Sequence, residues 1–122
     1  MLSQFIASSL AEPFAWGQND CALWCASGVR ACTGFDPAVD LRGTYNSWFE
    51  CRRVIMRAGG LEALIAPRMA RFAPLSGDGA AVVRVGTQKL CALIVSGRAV
   101  ARASDGRARF CDDFDVLRGW SW

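Results

Sequence analysis

The residues best placed to do chemistry are Asp20 and Cys21. They follow an aromatic–glycine turn, Phe14-Ala15-Trp16-Gly17-Gln18-Asn19, and open what reads as a helix. A cysteine at a helix N-terminus faces the oriented backbone N–H groups that favour an anion, the usual route to a reactive thiolate. Acyl transfer by such a thiolate calls for a neighbouring imidazole to carry the proton. The chain has no histidine among its 122 residues. Asp20 reads as the helix N-cap rather than as a replacement base, because its place in sequence points it away from the Cys21 side chain.

Other chemistries are poorly provided for. Six cysteines stand at 21, 25, 32, 51, 91 and 111, with no C-x-x-C pair and no histidine, so neither a zinc site nor another metal is expected. The 21/25/32 spacing fits one stripe of a helix. Cys25, Cys32, Cys51 and Cys111 read as reduced thiols that pack as small hydrophobes. Gly77-Asp78-Gly79 offers one carboxylate, too few for calcium, and reads as a turn before a strand. Nothing calls for a cofactor.

A net charge of +3, with Arg52-Arg53 as the one basic doublet, is no nucleic-acid footprint. No apolar run approaches the ~18 residues of a membrane span. The start, Met1-Leu2-Ser3-Gln4-Phe5, lacks the positive region of a signal peptide, which predicts synthesis and folding in a cytoplasm. Trp16, Trp24 and Trp48 read as core residues. Trp120 and Trp122 are candidate partner anchors, since two large aromatics close together in the last residues are hard to bury unless they dock.

The elements that must position Cys21 follow from periodicity. Leu2, Phe5, Ile6 and Leu10 predict a first helix stopped by Pro13. A second runs from an Asn19 or Asp20 cap to about Cys32, ended by Thr33-Gly34. A third is expected from Thr44–Asn46 to Gly59-Gly60, with Trp48, Phe49, Cys51, Val54, Ile55 and Met56 on its apolar face. A short helix over 61–65 ends at Pro67. The pattern then shifts to short apolar runs separated by turns, predicting strands at 80–85, 90–95, 99–103 and 108–111. Helices followed by an antiparallel meander make a single α+β domain across 1–122.

Taken in order, Trp16-Gly17, Asp20-Cys21 at a helix start, Ser76-Gly77-Asp78 before a strand, Leu93-Ile94-Val95-Ser96-Gly97 and Val100-Ala101-Arg102-Ala103-Ser104 resemble the NlpC-type cysteine peptidases. These are papain-like enzymes that cleave peptide bonds in bacterial cell-wall peptidoglycan. Over its full length the chain also resembles a small family of tailed phages and prophages. That likeness rests on Pro13-Phe14-Ala15-Trp16-Gly17, Asn19-Asp20-Cys21, Thr33-Gly34-Phe35-Asp36-Pro37, Leu41-Arg42-Gly43-Thr44-Tyr45, Arg57-Ala58-Gly59-Gly60-Leu61 and Trp120.

The resemblance implies a papain-like NlpC-type fold with Cys21 at the nucleophile position. The histidine position falls on or beside Cys91, and the third polar position on Arg102. Neither residue can do the work: a second thiol holds its proton beside a thiolate, and a guanidinium is no base. Ala22 and Leu23 also replace the Ser-Gly of active members. The resemblance therefore implies a degenerate peptidase domain serving as a structural or assembly protein of the virion tail tip. Its partners would be hub or fibre subunits, with possible peptidoglycan contact. The alternative it implies is a cell-wall amidopeptidase that uses Cys21 with a base supplied elsewhere. It also implies that Cys21 and Cys91 lie together, close enough to form a disulfide when oxidised.

Overall fold

The computed structural model describes all 122 residues. Helices α1 (Leu2–Ser9), α2 (Cys21–Thr33), α3 (Trp48–Ala58) and α4 (Leu61–Ile65) come first, and a 3-10 turn, Ala66–Met69, follows. Six strands then form one sheet: β1 (Ala73–Pro74), β2 (Gly79–Val85), β3 (Gln88–Val95), β4 (Arg98–Arg102), β5 (Ala108–Cys111) and β6 (Asp115–Ser121). Every pairing is antiparallel, in the order β1-β6-β2-β3-β4-β5. The α+β class read from the sequence is the class observed.

The sheet sorts its side chains by the period of two. Ala80, Val82, Cys91, Leu93, Val100 and Trp120 join Trp24, Cys25 and Val29 of α2 and Leu2 and Ile6 of α1 in the main core. The alternate residues Ala81, Val83, Ala92, Ile94 and Ala99 form a second cluster, flanked by Leu75 and Phe114. Gly28 is where α2 meets β3: a Cβ there would come within 3.0 Å of Leu93 Cδ1. The absent side chain is what lets the helix lie on the strand.

Three differences from the sequence reading have plain causes. The meander gains a last strand, β6, which pairs with β2 and is kinked by a bulge between Val82 and Val83. Its sequence, Asp115-Val116-Leu117-Arg118-Gly119-Trp120-Ser121, lacks clean alternation, so its partner rather than its own pattern makes it a strand. Helix α3 begins at Trp48, not at 44–46. Ser47 Oγ accepts from the Glu50 N–H at 3.1 Å while Glu50 Oε1 accepts from the Asn46 N–H at 3.0 Å, a variant of the capping box whose return bond reaches the residue before the cap.

The inward stripe of α3 is also narrower than expected. Cys51, Val54 and Ile55 pack inward, whereas Trp48, Phe49 and Met56 are 55%, 66% and 64% exposed.

Candidate functional site

The Trp16-Gly17 turn is built around a buried carboxylate. Gly17 has φ +79°, and a Cβ on it would strike the Tyr45 carbonyl oxygen at 1.6 Å, so this position requires glycine. Asp20 is 1% exposed. Its Oδ1 accepts from the Leu23 N–H at 3.0 Å, capping α2 as the sequence predicts, and its Oδ2 accepts from the Gly17 N–H at 3.0 Å. The second oxygen also accepts from Tyr45 Oη at 2.6 Å. Both oxygens are thus committed to holding the turn, the helix start and the 41–45 loop together.

Tyr45 is the residue that the sequence reading missed. Burial first, and the bond to Asp20 second, push its phenol well above the ordinary value. Its signal was available: an aspartate N-cap uses one oxygen, and the other, once buried, needs a donor.

Cys21 occupies the first position of α2 and is half-buried. Its Sγ donates to the Cys91 carbonyl at 3.2 Å, so the helix start and β3 meet where the resemblance implies. The expected thiolate is not what this place favours. Desolvation raises the thiol from 9.0 to about 12; the contact with the Cys91 main chain offsets part of this, and the neighbouring Asp20 carboxylate adds to it. A helix terminus is worth about 1 kcal/mol, less than a single pH unit, so burial wins. Burial also raises Cys25 and Cys91 well above the ordinary thiol value, and Cys21 adds to both. The site is a set of protonated thiols, and all six cysteines are free.

Arg102 does not join them. It is 2% exposed, and its guanidinium donates to the carbonyls of Gly106 at 2.9 Å, Ser9 at 3.4 Å and Glu12. It closes the C-terminal end of α1, whose last carbonyls lack helical partners, and ties that end to the β4–β5 turn. The buried charge is matched by three carbonyls, a structural duty.

Beside α2, opposite α3 and α4, lies a cavity of about 60 Å³ lined almost wholly by apolar side chains, among them Ala22, Cys25, Cys51, Met69, Cys91 and Trp120. The lining groups able to hold a peptide backbone are Tyr45 and Arg68. Tyr45 is bound to Asp20, and Arg68 is bound to Asp40 and the Pro37 carbonyl. No cluster of three metal-ligating side chains is present, and no helix is long and apolar enough to cross a membrane.

Among the tryptophans, Trp48 and Trp120 are placed differently from expectation. Trp120 is 4% exposed, packed in the main core on β6 opposite Ala80, so it is no surface anchor. Trp122 is 43% exposed and docks edge-on against Phe72 at 5.9 Å, which continues to Phe35 at 6.0 Å. Trp24 is fully buried, while Trp16 lies between Phe14, edge-on at 5.0 Å, and the exposed Trp48, tilted at 5.6 Å.

No curated protein and no solved structure is detectably similar to the chain. One family matches it from residue 1 to residue 122, and on that full-length match the chain belongs to the family described as a domain of unknown function, DUF6950.

Proposed function

We propose that this protein is a structural or assembly component of a phage or prophage tail, in the tail-tip region. In this reading it is built on a degenerate NlpC-like, papain-type domain without hydrolase activity. The observation that carries the loss of activity is the state of Cys21. Its thiol is held protonated against the Cys91 main chain, with no imidazole in the chain and with Arg102 spent on the end of α1. A nucleophile without a proton acceptor loses most of its rate advantage. The tail assignment rests on the order and spacing of the motifs shared with the phage and prophage family. The expected partners are hub or fibre subunits, and the place of action is the virion tail after synthesis in the host cytoplasm.

Purified particles test this reading. The account expects the protein at a fixed copy number, with Cys21→Ser particles assembling normally and clearing peptidoglycan as well as the wild type does. Loss of peptidoglycan cleavage in Cys21→Ser particles that assemble normally would establish the enzymatic alternative. Absence of the protein from mature particles would end the virion reading.

A further inference from the structure

The outward face of α3 carries three arginines, Arg52, Arg53 and Arg57, all exposed. The molecule's five ion pairs, Arg42–Asp36, Arg68–Asp40, Lys89–Glu62, Arg98–Asp112 and Arg109–Asp105, include none of them. Arg53 and Arg57, one helical turn apart, flank a surface recess of about 130 Å³ that Thr44 and Glu50 also line. Glu50 is engaged at the helix start, where it accepts from the Asn46 N–H. On the same exposed face Phe49 and Met56 stand two turns apart, 66% and 64% exposed. Two guanidiniums framing a recess, with a large apolar side chain at each end, make a mixed charged and apolar surface of the kind that a complementary partner covers.

We infer that this face of α3 is a protein-docking surface for an acidic, amphipathic segment of a partner. A carboxylate of the partner enters the recess between Arg53 and Arg57, and apolar side chains cover Phe49 and Met56. Charge complementarity fixes the acidic character, since a guanidinium fork binds a carboxylate through two parallel hydrogen bonds. The exposed apolar pair, Phe49 and Met56, favours a peptide with apolar side chains over a phosphate backbone or an anionic lipid surface. The inference takes from the proposed function only that the partner is a protein.

A displayed library of random peptides of about 15 residues, selected on the full-length protein, tests it directly. Recovered peptides should carry Asp or Glu spaced with large apolar residues. They should bind Arg53→Glu/Arg57→Glu and Phe49→Ser/Met56→Ser at least roughly tenfold more weakly than the wild type. Both variants alter exposed side chains and should keep the wild-type melting temperature. Recovery of no binders, of binders without acidic residues, or of binders indifferent to the charge reversal overturns the inference. So does tighter binding of oligodeoxythymidine or phosphatidylglycerol vesicles than of any peptide. If the protein is nonetheless present in particles at fixed copy number, the docking surface lies elsewhere and the assembly reading stands.

Discussion

At the scale of single residues, the decisive contrast is between Cys21 and Asp20, neighbours in sequence with opposite fates. Asp20 keeps three donors, from Gly17, Leu23 and Tyr45, and so organises the turn that presents Cys21. Cys21 is pressed into an apolar interior, and that burial holds its proton in place. Removing the shared acceptor orphans every donor, so Asp20→Ala should cost about 3 kcal/mol or more. Tyr45→Phe removes one bond to a charged group and should cost about 2 kcal/mol. Urea denaturation of the two variants measures the order, and a larger loss for Tyr45→Phe would contradict a network centred on Asp20.

At the scale of elements, what was legible depended on whether the signal was local. Asp20 with its helical run, Gly34 at φ +80° after α2, and the Gly86, Gly97 and Gly106 turns all mark boundaries within a few residues, and those boundaries were read closely. Helix α3 was misplaced because Thr44, Asn46 and Ser47 are all plausible caps, and only the return bond from Glu50 decides among them. Its burial was misjudged because Phe49 and Met56 are apolar by type but turn away from Cys51. Arg102, which only the resemblance singled out, serves the end of α1. Trp120 was misread because its burial depends on β6 pairing with β2, a contact some 40 residues distant that no local window contains.

The loop between α2 and α3 supplies a pH test at the same scale. Burial alone would raise the Asp36 carboxyl, but the Arg42 guanidinium, at 2.8 and 3.1 Å, and the Ala38 N–H outweigh it and hold the group below its ordinary value. A carboxyl lowered by folding stabilises the fold above the ordinary carboxylate range and loses that contribution as the pH falls through the folded value. Asp36→Asn should therefore lower stability by about 1 kcal/mol near neutrality, with the gap to wild type closing below about pH 4. Thermal melts across that range measure it, and a gap that widens toward acid would contradict the assignment.

At the scale of the whole molecule, the buried polar groups and thiols are spent on holding the elements together. The helix start and β3 meet at Cys21 and Cys91, the buried carboxylate fixes the entrance turn, and the buried guanidinium joins α1 to β4. The exposed side of α3, by contrast, is left with unpaired charge and apolar surface. In the proposed reading, a domain with a half-buried, protonated Cys21 and an exposed α3 face serves to hold other proteins rather than to cleave them. The most direct test of that account is the rate of Cys21 alkylation by iodoacetamide against pH, read site by site by mass spectrometry on the folded protein. The account predicts slow labelling that stays flat through neutrality and rises only well above the ordinary thiol value of 9.0, toward about 12. Fast labelling with a midpoint well below 9.0 would reveal a poised thiolate and contradict it.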